Sequence, residues 1–310
     1  MKRDPTIEKQ IQQIALSLYG LEPEIHRCHS ENSYVCTLDF CGELPDKVIK
    51  HARRNTKQVI RDQRILRVLG AAGLPVPDVE FTQDDCEIAS SPFFIMPRVT
   101  GPSLHDGCWS GAEWVEPALS QAGRFLAHLS TLPPDLLQEN PTGQEIVRKQ
   151  VPLPEPDAWA IANDLDGEEY VAFEQHLHSI DRRLSRRETS LMHGSYSPAH
   201  ILCDQESKSM ITVIDWENAG PGFALRDVGH FMAALQAWIP CKLEYIDWFT
   251  AGFQSERLLD EADWAEIRDW EILTYLTWAN FFAGQRRREQ AAKILNLVRD
   301  RFSQAPFRGG

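Results

Sequence analysis

Two short β-forming runs, Ile-Leu-Cys at 201–203 and Ile-Thr-Val-Ile at 211–214, stand inside a long stretch whose other apolar residues recur at helical spacing. The polar segment DQESKS between them reads as a tight turn, so the pair is expected to form a hairpin set among helices. Its two ends fix what lies nearby. On the upstream side the turn-forming segment LMHGSYSPAHIL (191–202) leads into the first run, and on the downstream side Asp215 stands at the exposed end of the second.

The sequence around this hairpin divides in two. Residues 6–19 place Ile7, Ile11, Ile14, Ala15 and Leu18 on one helical face, with Asp4-Pro5 before and Gly20 after as start and stop signals. The runs SYVCTLDF (33–40) and KVIK (47–50), separated by CGELPD, read as a β-hairpin, and 55–72 reads as a helix ended by Gly73, Pro75 and Pro77. Further β-like runs at 79–81 and 93–96 flank an Asp84-Asp85 turn. Beyond Thr100-Gly101-Pro102 helical stretches dominate, at about 112–132, 165–187, 223–238, 243–254, 261–281 and 285–302, with the Pro-rich VPLPEPD (151–157) as a loop. The expected fold class is α+β, with a small sheet lobe over 1–97 holding one key helix and a larger, mostly helical lobe over 98–310.

Composition narrows the function. A net charge of -13 excludes the basic footprint that nucleic acid requires. The charge is uneven, with a balance of -1 over residues 1–100 and -12 over 101–310. Two readings stand: a solvated acidic surface, or a cleft for a cationic small molecule. No run approaches the roughly 20 apolar residues of a membrane span, and the charged start MKRDPTIEKQ is unlike a signal peptide, so a cytoplasmic protein without membrane partners is expected. Seven cysteines without a C-x-x-C pair suggest neither a disulfide framework nor a zinc site.

Phosphoryl transfer needs a lysine on phosphates, a carboxylate on a metal and a group that orients the acceptor hydroxyl. Lys50 ends a strand just before the helix that contains Asp62, and Asp215 ends the second hairpin run. Between them the chain reads His193-Gly194-Ser195-Tyr196-Ser197-Pro198-Ala199-His200-Ile201-Leu202, then Ile214-Asp215-Trp216-Glu217, then Asp227-Val228-Gly229. This order resembles the kinase-like aminoglycoside phosphotransferase and choline kinase family, whose pattern is H-G-D-x-x-x-x-N, then I-D-W/F-E, then D-L/V. GLPVPDV (73–79), Pro92-Phe93-Phe94-Ile95-Met96 and LAHLSTL (126–132) extend the resemblance over nearly the whole chain.

The resemblance implies a two-lobed, protein-kinase-like fold with ATP, or another nucleoside triphosphate, between the lobes beside Met96 in a hinge at 96–99. It implies that Lys50 contacts the phosphates and that Asp62 pairs with it. The family usually has glutamate at Asp62, one methylene longer, so either a long ion pair or a shifted helix is expected. Asn32, Ser33 and Tyr34 fall at the phosphate-covering turn. Asp215 takes the family's Mg2+-holding carboxylate role, and Asp227 and His193 brace the loop. Glu217 is either a supporting group or an exposed turn residue.

Two positions depart from the pattern. Ser195 stands where the family has the aspartate that orients the acceptor hydroxyl, and loss of a general base costs about 10²–10⁴ in rate. His200 stands where the family has a metal-binding asparagine. It reads as a softer metal ligand suited to Mn2+, as a substitute proton acceptor, or as a packed histidine. The chain is therefore expected to be a small-molecule kinase acting on a hydroxyl of a sugar, amino alcohol or natural-product-like acceptor, or else a pseudokinase that binds nucleotide or ligand without transfer. For a cationic acceptor the candidates are Glu168, Glu169 and an aromatic wall of Trp264, Trp270, Tyr275 and Trp278, set against the reading of those aromatics as core. Oligomeric state leaves no mark in the sequence.

Overall fold

The computed structural model describes residues 5–28, 33–52, 56–83, 92–137, 189–240 and 243–304, with 168, 171, 174, 175, 178–180 and 183 between. It divides into two units, Met1–Gly101 with Ile211–Glu217, and Pro102–Met210 with Asn218–Gly310. The second passage of chain in the first unit is not marked by any change of composition.

In the first unit α1 (Pro5–Tyr19) keeps the apolar face read from its spacing, and Gly20 closes it. A five-stranded antiparallel sheet follows in the order β1-β2-β3-β5-β4, built from β1 (Glu24–Cys28), β2 (Ser33–Asp39), β3 (Lys47–Ala52), β4 (Phe81–Gln83) and β5 (Phe93–Pro97). The expected hairpin is thus three strands of a meander, because Glu24–Cys28 pairs with β2. That strand reads Glu-Ile-His-Arg-Cys, too polar to stand out by alternation. Ile11, Ile14 and Ala15 of α1 pack on Cys36, Leu38, Ile49, Phe93 and Ile95 from the sheet. Since strand side chains alternate, Ile49 facing this core puts Lys50 on the opposite face. There α2 (Thr56–Ala71) lies, burying Val59, Asp62, Ile65, Leu66 and Leu69. The Asp84-Asp85 turn lies outside the described residues.

The second unit begins with α3 (Leu104–Ser110), which the sequence reading missed. It is closed at its start by a reciprocal capping box between Ser103 and Asp106, and the Ser-x-x-Asp spacing was the available signal. Next come α4 (Val115–Leu129), β6 (Ser190–Met192), β7 (Ile201–Asp204), β8 (Ser209–Val213), β9 (Gly220–Gly222), α5 (Ala224–Trp238), α6 (Leu243–Gln254), α7 (Glu261–Gly284) and α8 (Arg288–Gln304). Strand β8 runs across the division between the units. β6 pairs with β9 in an antiparallel ribbon whose Gly-Pro-Gly partner carries no strand signature. α4 and α6 approach at glycines: a Cβ at Gly123 would lie 2.1 Å from the Phe249 carbonyl oxygen, and one at Gly252 2.1 Å from that of Ser120. Most of the expected helix at 165–187 and the loop at 151–157 lie outside the described residues.

Candidate functional site

The first unit assembles a charged cluster around Lys50. Its Nζ lies 2.7 Å from Asp62 Oδ2 and 3.6 Å from Glu217 Oε2. The shorter aspartate does not produce a long ion pair, because α2 is drawn close. Gln58 donates to Asp62 Oδ1 at 2.7 Å, and Gln58 and Arg61 both donate to the Glu217 carbonyl, at 3.1 and 2.8 Å. The turn that carries Asp215 and Glu217 is pinned from the other side too: Val213 N–H and the Thr212 hydroxyl donate to the Pro75 carbonyl, at 2.8 and 2.9 Å. Trp216 Nε1–H closes the turn onto the Val213 carbonyl at 2.8 Å.

Burial alone would lower the Lys50 pKa, but the charge and hydrogen bond of Asp62, then Glu217 and Asp215, outweigh it and leave it raised. Lys50 therefore stays charged at neutral pH. Asp215 is exposed and sits at φ 66, in the left-handed region that non-glycine residues rarely adopt. Such backbone strain tends to be kept at functional positions. Glu217 left two readings open in the sequence; it is half-buried and 3.6 Å from Lys50, not an exposed turn residue. Met96 pairs with Val48 across β3 and β5. Ser33 opens β2 opposite Ala52, while Asn32 lies outside the described residues.

The second unit shapes the loop that carries Ser195. The buried Asp227 carboxylate accepts the N–H groups of His193 at 2.6 Å and Gly194 at 3.0 Å. Burial pushes this carboxyl up, and the Arg226 charge and those N–H groups only partly pull it back. Gly194 has φ 86, and a Cβ there would stand 2.3 Å from the Asn218 carbonyl oxygen, so no other residue fits the turn. Tyr196, wholly buried, donates its hydroxyl to the Ala122 carbonyl at 3.0 Å and stacks on Phe125.

His193 Nδ1 accepts the Ser195 N–H at 3.3 Å, with Ser195 Oγ at 3.5 Å, so the proton of this buried ring sits on the other nitrogen. His200 has the opposite tautomer, because its Nδ1 donates to the Ser195 carbonyl at 2.9 Å. His193 and His200 therefore both serve the backbone around Ser195, and Asp227 and His193 brace the loop as expected. Neither imidazole makes a strong contact with the Ser195 hydroxyl.

Of the two readings of the aromatics, core or wall, Trp270 and Tyr275 take the first. Trp270 and Tyr275 are 1% and 0% exposed and belong to the core, as residues at helical spacing inside a helix buried on several sides. Trp264 and Trp278 are half-buried, and Trp278 contacts His230, Trp238 and Tyr275. Glu168 is exposed, and Glu169 lies outside the described residues. Sequence reading also missed Gln58 and Arg61, which act through a carbonyl far along the chain, and Arg226. Only their places in the chain hinted at them, Gln58 one turn before Asp62 and Arg61 and Arg226 immediately before Asp62 and Asp227.

A family model described as "Phosphotransferase enzyme family" matches residues 29–270. No curated protein matches the sequence. Among solved structures, the GDP and kanamycin complex of APH(2")-IIia aligns with a TM-score of 0.71 at 15% identity, covering 95% of this chain and 98% of that one. The microcompartment-associated aminopropanol kinase aligns at 0.67 and 19%, covering 97% and 98%. The macrolide 2'-phosphotransferase MphH from Brachybacterium faecium aligns at 0.62 and 15%, covering 93% and 98%.

Proposed function

Because the chain belongs to the phosphotransferase enzyme family, we propose that it transfers a phosphoryl group from ATP, or another nucleoside triphosphate, to a hydroxyl of a small molecule. The sugar, amino alcohol and natural-product-like classes are the acceptors to try first. The observation that carries this reading is the cluster of Lys50, Asp62, Glu217 and Asp215, whose cation is held charged and aimed.

An ammonium has three donors; Asp62 engages one of those of Lys50 at 2.7 Å, and Glu217, 3.6 Å away, attracts a second without a hydrogen bond. The third is left for a phosphate oxygen of the nucleotide. Asp215 supplies the metal carboxylate. Its exposed oxygen donors suit a hard ion such as Mg2+, and no group of three or more His, Cys, Asp or Glu able to hold a metal occurs among the described residues. A metal that takes most of its ligands from phosphates and water fits such a sparse donor set. When bound, Mg2+ would neutralise phosphate charge. His200 adds a candidate nitrogen donor, which favours Mn2+ relative to Mg2+.

Asp227 and Gly194 set the backbone of the loop, and Ser195 presents a hydroxyl in place of the family's carboxylate. Positioning and electrostatics provide most of the acceleration in phosphoryl transfer, so the reaction is expected to be slowed by Ser195 and not abolished. The test is transfer of label from radiolabelled ATP to a panel of hydroxyl acceptors, with Mg2+ and with Mn2+. Labelled acceptor above the Asp215→Asn background supports the reading. Saturable ATP binding with no labelled acceptor supports the pseudokinase instead, and no ATP binding overturns both.

A further inference from the structure

The second unit gathers basic groups that the proposed chemistry leaves unused. Arg226 and His230 are four residues apart on α5 and so share one face of that helix. Burial, then the charge of Arg226 and the electrostatic influence of His200, push the His230 pKa down to about 3. Arg226 Nη1 points at Met192 Sδ, 3.5 Å away, and Arg226 Cζ lies 6.0 Å from the centre of the Trp270 ring. A thioether is a weak acceptor. Among the described residues no carboxylate comes within the 4.0 Å of an ion pair with this guanidinium. Its neighbour Asp227 is turned to the backbone of His193 and Gly194 and acts on it only through its field.

Buried arginines are ordinarily paired, and the sequence from residue 101 onward has acid in excess. Here both Arg226 and His230 are half-buried, and none of their nitrogens is sealed away from solvent without a bond. His230 packs edge-on against Trp278 at 5.3 Å, and its ring nitrogens make no hydrogen bond to a described residue. The group therefore combines a planar cation with no ion-pair partner among the described residues, a neutral ring N–H and apolar walls. It adjoins the catalytic loop, because Met192 immediately precedes His193-Gly194-Ser195.

We propose that Arg226 and His230 bind an oxyanion carried by the acceptor, so that the molecule phosphorylated is a hydroxyl compound bearing a carboxylate or a phosphate. The substrate class rests on the phosphotransferase reading; the anion site itself does not. The guanidinium fork matches two oxygens of such a group at once, which an ammonium does not. Nothing in this assignment requires the acceptor to lack a positive charge elsewhere, and a hydroxy amino acid satisfies it.

The test is a titration of the whole protein, with ADP present to fill the nucleotide's own site, using acetate in one arm and inorganic phosphate in the other. The readout is the His230 imidazole resonance. A saturable shift is expected in at least one arm, and the arm that responds tells carboxylate from phosphate. Arg226→Gln should weaken that affinity about tenfold or more, the worth of a charge-assisted bond, with Arg226→Lys between the two. No saturable shift in either arm overturns the proposal, as does a folded Arg226→Gln protein that binds like the wild type. If Arg226→Gln does not fold, the wild-type titration and the Arg226→Lys comparison decide. ADP binding, followed on the same samples, reports separately on the phosphotransferase reading.

Discussion

Lys50 and Ser195 occupy corresponding places in one ordered set of motifs, and their surroundings differ in kind. Around Lys50 the side chains themselves are arranged for charge: Asp62 and Glu217 hold the ammonium, and Gln58 and Arg61 hold the groups that hold it. Around Ser195 the backbone is just as firmly built, by Asp227, Gly194 and the two histidines, yet the side chain at its centre is neutral. The loop's shape comes from hydrogen bonds to N–H and C=O groups that any residue at 195 would offer. Scaffold and chemistry are separable there, whereas around Lys50 they are the same atoms.

The comparison breaks most visibly if the missing carboxylate is restored. Ser195→Asp should raise kcat by about 10²–10⁴, the range of a general base, and a variant no faster than the wild type would show that the base has moved elsewhere. Next in size, Asp215→Asn should lower kcat/KM by about 10²–10³, as expected for loss of several kcal/mol of metal-derived stabilisation. Activity that survives it would mean that the exposed, left-handed turn carries no metal.

The scaffold can be probed without touching the chemistry. Asp227→Asn leaves a buried N–H short of an acceptor and should cost about 1–3 kcal/mol of stability, seen as a lower Tm. Per pH unit, the smallest effect is on pH. His230 has its folded pKa lowered from 6.5 to about 3, so the unfolded chain binds the extra proton. Stability should fall by up to about 1.4 kcal/mol per pH unit as pH drops through that window, and His230→Phe should remove this slope. Denaturant unfolding at a series of pH values measures it.

Much of this was legible in sequence for a physical reason. Asp215 and the glycine of His193-Gly194-Ser195 sit in turns, where local chemistry dictates identity, while Lys50 within β3 and Asp227 in the first turn of α5 are legible through their spacing from those turns. α6 was read at its observed bounds, Leu243–Gln254, because a 3.6-residue period persists through it. What stayed hidden depends on partners distant in sequence. Glu24–Cys28 becomes a strand only because β2 offers it an edge. Arg61 acts on a carbonyl 156 residues away, and the choice between core and ligand wall for Trp270 and Tyr275, open in the sequence, is made by the structure around them. The 2.7 Å contact of Lys50 with Asp62 likewise needed the position of α2, which no residue type encodes.

The division of labour between the two regions is tested most directly by titrating ATP, with Mg2+, into the wild type, Lys50→Ala and Ser195→Asp. The account predicts saturable binding by the wild type, at least about tenfold weaker binding by Lys50→Ala through loss of a charge-assisted phosphate contact, and an unchanged Kd for Ser195→Asp. A wild type that does not bind ATP, or a Ser195→Asp shift as large as that of Lys50→Ala, would contradict it.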